Sequence, residues 1–101
     1  MESPHVHHFY NETTYDQGHT HRMNGITGYN TPYGDSHVHS YSGTTTLAHA
    51  HVHYFSGVTG PSIPLPNGGH MHCYHGTTTF ENGHTHNYNA LTGNEKHSRI
   101  F

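Results

Sequence analysis

The sequence predicts an all-β protein made of three repeated β-hairpin units, with little or no helix. Three observations carry this reading. One short phrase occurs six times; the phrases fall into pairs at a fixed spacing; and turn-forming residues stand between them. The phrase is His, any residue, His, any residue, a bulky apolar residue, and then a small residue and a Thr at the same alternate spacing. It is seen most plainly in His51-Val52-His53-Tyr54-Phe55-Ser56-Gly57-Val58-Thr59. Side chains of a β-strand alternate between its two faces, so every second residue shares a face.

The first phrase puts His5, His7, Phe9, Asn11 and Thr13 on one face, and the second His19, His21, Met23, Gly25 and Thr27. The middle pair gives His37, His39, Tyr41, Gly43, Thr45 and His51, His53, Phe55, Gly57, Thr59. The last pair gives His70, His72, Tyr74, Gly76, Thr78 and His84, His86, Tyr88, Ala90, Thr92. Only Asn11 departs from the pattern, at the small position. Val, Thr, Tyr and Phe in these stretches favour strand.

The pairs start at 5, 19, 37, 51, 70 and 84. Two phrases 14 residues apart form a unit of 32–33 residues, giving repeats 5–36, 37–69 and 70–101 within one domain, 1–101. Within unit one the connection is Tyr15-Asp16-Gln17-Gly18. In unit three it is Phe80-Glu81-Asn82-Gly83, whose Asn-Gly suits a two-residue hairpin turn because both residues accept positive φ. The connection in unit two, Leu47-Ala48-His49-Ala50, has no glycine and predicts a different turn. The links between units, 28–36 and 60–69, are rich in breakers; the second holds Pro61, Pro64 and Pro66 and is expected to lay Ile63 and Leu65 against the sheet. The charged tail ends in Ile100-Phe101, a candidate for docking on a neighbouring subunit.

Composition narrows the function. Only 29% of the 101 residues are apolar, and eight of those are Tyr. A domain this poor in aliphatic residues needs support beyond a hydrophobic core, from disulfides, metal or oligomerisation. Cys73 is the single cysteine, so an intrachain disulfide is excluded. Three Lys/Arg residues (Arg22, Lys96, Arg99) make no phosphate-binding stripe and argue against a nucleic-acid partner. No apolar run reaches the length of a membrane span, and the N-terminus lacks a secretory signal; extracellular or surface assembly stays open.

Two His at i and i+2 of a strand lie roughly 6.6 Å apart at Cα and point the same way. Both can reach one metal about 2 Å from each nitrogen. Solvated surface histidines and a disordered His-rich chelator are the plain alternatives, but neither accounts for twelve of sixteen histidines held in phase. The candidate ligands are therefore His5, His7, His19, His21, His37, His39, His51, His53, His70, His72, His84 and His86. If the hairpins surround a pseudo-threefold axis, first-strand pairs form one set of six ligands and second-strand pairs another, with the small residues allowing close backbone approach near the axis. If the hairpins stack in a row, neighbouring pairs make four-coordinate sites, some shared between subunits. Imidazole suits Cu, Zn, Fe or Ni. The Thr residues are candidates to orient the non-ligating ring nitrogens.

The other histidines fall outside the phase. His8 and His75 belong to the opposite face, His97 to the tail, and His49 extends the middle run as a candidate auxiliary ligand. Cys73 is expected to be a small filler. The bulky stripe Phe9, Met23, Tyr41, Phe55, Tyr74 and Tyr88 reads as packing. With few carboxylates and none on the His face, no catalytic residues are expected, and the protein reads as a non-enzyme.

The phrases His37-Val38-His39…Gly43…Thr45, His51-Val52-His53…Gly57-Val58-Thr59-Gly60 and Ile63-Pro64-Leu65-Pro66…Gly68-Gly69-His70-Met71-His72 resemble the YmaF-like family of small His-rich bacterial repeat proteins. The resemblance covers nearly the whole chain; unit one departs from it by lacking the Pro-rich link. Gly18-His19-Thr20-His21 and Gly83-His84-Thr85-His86-Asn87-Tyr88 are also similar to the Gly-x-His-x-His phrases of trimeric phage tail-fibre tips, and that likeness implies one octahedral iron held by three His-x-His pairs.

These readings converge on a metal-binding structural protein that self-assembles into a filament or other homo-oligomer. Soluble storage or buffering of transition-metal ions is the alternative, and a fibre-tip adhesin the second.

Overall fold

In the computed structural model, residues 4–66 and 68–97 are described, and among them the regular elements are all strands. Each unit supplies three. Unit one has β1 (His5–Glu12), β2 (Arg22–Ile26) and β3 (Asn30–Tyr33); unit two has β4 (Ser36–Thr44), β5 (Tyr54–Val58) and β6 (Ser62–Pro64); unit three has β7 (His70–Thr77), β8 (Asn87–Leu91) and β9 (Glu95–His97).

The long strands β1, β4 and β7 each carry two partners. Their C-terminal halves form the expected hairpins, with Phe9 opposite Gly25, Tyr41 opposite Gly57 and Tyr74 opposite Ala90. Their N-terminal halves pair antiparallel with a link strand of the preceding unit: β3 on β4, β6 on β7, and β9 on β1. The last pairing joins the end of unit three to the start of unit one, so the order of units closes into a ring.

Backbone bonds outside the ladders repeat the same cycle. The amides of Gly28, Gly60 and Gly93 donate to the carbonyls of Ser40, Cys73 and His8, each at 2.8 Å, one unit ahead. Those of Thr14, Thr46 and Thr79 donate to Asn87, Arg22 and Tyr54, each at 2.9 Å, one unit behind. This is a pseudo-threefold arrangement built from one chain, and it selects the axial geometry over the stacked row.

The links are therefore more than connections. Pro32 and Pro64 sit in the short edge strands β3 and β6, where a missing amide donor is tolerated. Ile63, expected to pack on the sheet, is 40% exposed because it alternates outward from that edge. Ile100 and Phe101, whose docking the sequence suggested, lie outside the described residues.

All three hairpin turns share one backbone form, contrary to the expectation for unit two. Gln17 and Gly18 have φ of 54° and 84°, Asn82 and Gly83 of 55° and 86°, and His49 and Ala50 of 50° and 67°. The flanking bridges Asp16–His19, Ala48–His51 and Glu81–His84 fix the same two-residue loop in each unit. The ladder register thus overrides local preference and holds even Ala50 in the left-handed region.

The phased face of the six phrases is buried at its bulky and Thr positions and at nine of its twelve histidines, with His51, His70 and His84 half-buried. The bulky residues Phe9, Met23, Tyr41, Phe55, Tyr74 and Tyr88 form one core layer, with Ala90 packed against it. The small positions serve this layer rather than backbone approach at the axis. A Cβ at Gly57 would come within 2.7 Å of the Tyr41 hydroxyl oxygen, one at Gly76 within 2.7 Å of that of Tyr88, and one at Gly43 within 2.8 Å of the Phe55 ring. Each ring lies across the glycine of its paired strand. The misfit Asn11 is explained in the same layer: the Tyr74 hydroxyl donates to its Oδ1, and its Nδ2 donates to Met23 Sδ at 3.4 Å.

Candidate metal centres

The twelve paired histidines lie in two groups of six. The first group is His5, His7, His37, His39, His70 and His72, whose ligand atoms all lie within 4.8 Å of one another. It has two triangular layers. The outer histidines His5, His37 and His70 bring their Nε2 atoms to 3.2, 3.1 and 3.0 Å of each other, and His7 Nε2 stands 3.2 Å from His70 Nε2. The inner histidines His7, His39 and His72 are fully buried, with ring centroids 4.5–4.6 Å apart.

In the second group, His19, His21, His51, His84 and His86 have ligand atoms within 4.8 Å of one another. The sixth, His53, is fully buried beside them, its ring 4.8 Å from His21 and 4.9 Å from His84 and His86. The first set of six thus assembles within one chain, as do five histidines of the second, with His53 packed against them.

One device, repeated six times, aims the inner rings. The Nδ1 atoms of His7, His39 and His72 donate to the carbonyls of Gly93, Gly28 and Gly60 at 2.8–2.9 Å. Those of His21, His53 and His86 donate to Thr46, Thr79 and Thr14 at 2.8–3.0 Å. A carbonyl only accepts, so Nδ1 carries the proton and Nε2 keeps a bare lone pair. Each accepting carbonyl belongs to the residue after a phrase Thr, and that Thr hydroxyl donates to the same oxygen, as Thr27 does to Gly28 and Thr59 to Gly60, both at 2.9 Å.

The phrase Thr also accepts from the backbone amide of an inner histidine of its own hairpin, for instance His7 to Thr27 at 3.0 Å and His39 to Thr59 at 3.1 Å. The Thr hydroxyls also reach the non-ligating ring nitrogens of the neighbouring unit, as the sequence suggested: Thr27 to His39 Nδ1 and Thr92 to His7 Nδ1 at 3.4 Å, and Thr45 to His21 Nδ1 and Thr78 to His53 Nδ1 at 3.3 Å. Outer histidines His19, His51 and His84 donate from Nδ1 to carbonyls inside the turns, those of Gln17, His49 and Asn82, at 3.1–3.3 Å.

For the inner histidines and for His19, His51 and His84 the result is an Nε2 that carries a lone pair and no proton. Nε2 of His19, His21, His39, His51, His53 and His72 is buried with no hydrogen-bond partner. A buried polar atom left unsatisfied costs about 1–3 kcal/mol, so six such atoms aimed at two points describe sites that fit a cation. Proton binding is disfavoured there. Burial, with a smaller effect from neighbouring imidazoles, holds His7 and His39 down at about 4 and His72 at about 3 against an opposing carbonyl bond. His19, His21 and His53 are lowered for the same reasons. Neutral imidazole is the form that ligates metal.

Among the described residues outside the phase, the side chains of His49, Asp16 and Asn82 reach rings of the second cluster. His8 and His75 are exposed and Cys73 is half-buried. His49 is exposed but its ring stacks on His19, centroids 4.3 Å apart at 31°. Asp16 Oδ2 approaches His86 Nδ1 to 3.3 Å, and Thr14 Oγ1 donates to the same carboxylate oxygen. The expectation that no carboxylate comes near the pairs is thereby corrected: the tight turn folds Asp16 back behind the His86 ring, on the side away from Nε2.

Among the described residues no helix is long and apolar enough to cross a membrane. Comparison with curated proteins and with solved structures finds no match. The family described as YmaF, spore germination protein GerY/YamF, matches residues 2–93, and this chain belongs to it.

Proposed function

We propose that the protein is a non-enzymatic structural protein that binds one divalent transition-metal ion in each histidine cluster, and that the two ions supplement its small aromatic core. The carrying observation is the convergence of Nε2 atoms at 3.0–3.2 Å in the first cluster. In a regular octahedron the edge is the bond length times the square root of two, which gives a metal–nitrogen bond of about 2.2 Å, a normal value for imidazole. Six equivalent nitrogens disfavour tetrahedral Zn²⁺ and tetragonal Cu²⁺ and favour octahedral Fe²⁺ or Ni²⁺.

Two ions in 101 residues, sealed among buried rings, support a structural role over storage, where capacity and release matter. The family description directs the search for the biological setting toward the spore.

We include self-assembly in the proposal. Its support is a ring of outward apolar groups at one position of the three turns: Tyr15, Leu47 and Phe80 are 71–73% exposed. A chain poor in apolar residues keeps three of its largest in solvent, which favours association end to end. Because both metal sets close within one chain, the ions hold the protomer and not the contacts between protomers.

The test has two parts. Metal analysis of purified protein should find two transition-metal ions per chain, with X-ray absorption reporting six nitrogen neighbours; a protein that carries none and takes up none refutes the reading. Size measured by light scattering should exceed that of a monomer and fall to it when Tyr15, Leu47 and Phe80 are replaced by Ser. A monomer at all concentrations removes assembly while leaving the metal sites.

A further inference from the structure

The side chain of His49 has no structural duty that its counterparts do not fulfil without an imidazole. Its turn position is equivalent to Gln17 and Asn82, and all three residues offer the same backbone carbonyl to the following outer histidine, at 3.2 Å for His19, 3.1 Å for His51 and 3.3 Å for His84. The side chain at this position leans on the outer histidine of the preceding unit. In unit three the Asn82 amide lies 3.3 Å from His51 Nδ1, and in unit two the His49 ring stacks on His19. An amide therefore suffices for support.

Unit two instead places a metal-binding ring there, on a loop whose two residues both have positive φ without a glycine. Such conformations persist where the surroundings impose them and gather at functional positions. His49 is exposed, whereas His19 beside it is 7% exposed and the inner histidines His21, His53 and His86 are at most 1% exposed. Among the paired histidines of this cluster only His51 and His84 are half-buried, so the path inward narrows quickly from the turns.

We propose that His49 is the entry ligand of the second cluster: it exchanges a water of a hydrated divalent ion at the surface and passes the ion to His19, without remaining in the final coordination sphere. This rests on the metal-binding reading above. Tethering the ion next to the site makes the following ligand exchange intramolecular. An entry ligand lowers the barrier to entry and exit equally, so it changes both rates by one factor and leaves affinity unaltered. A residue that shaped the site would change affinity instead.

The test uses the full chain, Co²⁺ as the probe and its visible ligand-field bands as the signal. Two uptake phases are expected, and the phase abolished by His84→Ala identifies the second cluster. His49→Asn places there the residue that unit three already carries at a φ of 55°, so the turn is preserved; His49→Gln, the residue of unit one, repeats the test. In both variants association and dissociation at the second cluster should slow by about tenfold, in line with the loss of a tethered local concentration, at constant affinity and constant metal-free melting temperature. Wild-type rates in both variants overturn the entry role, as does a change in affinity with the association rate unmoved. A wild-type protein that shows neither phase overturns the metal reading itself, which separates the two failures.

Discussion

The two histidine clusters are built from the same phrase, yet they are not equally tight. Outer rings stand 4.7–4.8 Å apart in the first cluster and 5.0–5.1 Å in the second. Inner rings stand 4.5–4.6 Å apart in the first and 4.8–4.9 Å in the second. The difference follows from what lies behind each set. First-cluster histidines sit at the start of the long strands, where link strands β3, β6 and β9 add a second ladder; those of the second cluster sit beside two-residue turns. An identical ligand pattern thus produces a clamped site and a more open one. The open site is also the one with an exposed imidazole at its rim.

The strongest way to break this comparison is to remove metal from both sites. On the proposed metal-binding reading, each ion would contribute about 4 kcal/mol when free metal exceeds Kd a thousandfold, comparable to the whole stability of a small domain. Chelation should lower the melting temperature steeply, read by circular dichroism. If the clusters differ as described, the second ion leaves first, and a titration with chelator shows two steps. A melting temperature unchanged by full removal of metal would show that hydrogen bonds and the aromatic layer suffice.

Acid tests the burial of the first cluster without a chelator. His7 and His39 are lowered to about 4 and His72 to about 3. Their unfolded-state value is near 6.5. Stability tied to these groups is complete above 6.5 and is lost as pH falls through the window from 6.5 toward 3–4, because the unfolded chain binds protons that the folded sites refuse. Each such histidine contributes a slope of about 1.4 kcal/mol per pH unit inside that window. Metal-free protein should unfold cooperatively there; a flat stability between pH 6.5 and 4 would contradict the burial of these rings.

Much of this arrangement was legible in the sequence because one period-2 pattern controls it. The buried face from His5 to Thr13 and its five copies reads directly from alternation, whereas the spacing allows two sets of six about an axis and a stacked row of four-coordinate sites alike, and only the pairing of β9 with β1 separates them. The links were not legible as strands, since Pro32 and Pro64 suggest breaks and their edge pairing depends on a partner one unit away. Closure of β9 onto β1 has no local signal at all, because it joins residues at opposite ends of the chain. Asn11 read as a misfit until Tyr74 supplied the hydroxyl that makes an amide useful there.

A smaller effect separates the clusters by single ligands. His72→Ala removes a buried ring and leaves the Gly60 carbonyl without its ring donor, which should cost about 3 kcal/mol or more and abolish the first ion. His84→Ala removes a half-buried ring next to the turn of unit three, where water can enter, and should abolish the second ion at a lower cost in stability. Equal destabilisation by the two variants would mean that the clusters are equivalent in energy despite their spacing.

The smallest effect concerns the turn that the sequence did not predict. Ala50 holds a φ of 67°, where its counterparts are Gly18 and Gly83. A residue with a Cβ in the left-handed region costs roughly 1–2 kcal/mol relative to the right-handed one, and glycine removes most of that penalty while adding some freedom to the unfolded chain. Ala50→Gly should therefore stabilise the protein by about 1 kcal/mol or slightly less, measured by denaturant unfolding of the metal-free form. The direction matters more than the size. Stabilisation would show that the ladder on either side, fixed by the Ala48–His51 bridge, imposes the turn on an unwilling pair of residues. Destabilisation would show that Ala50 is packed where glycine cannot replace it, and that the three turns, although alike in backbone, are held by different means.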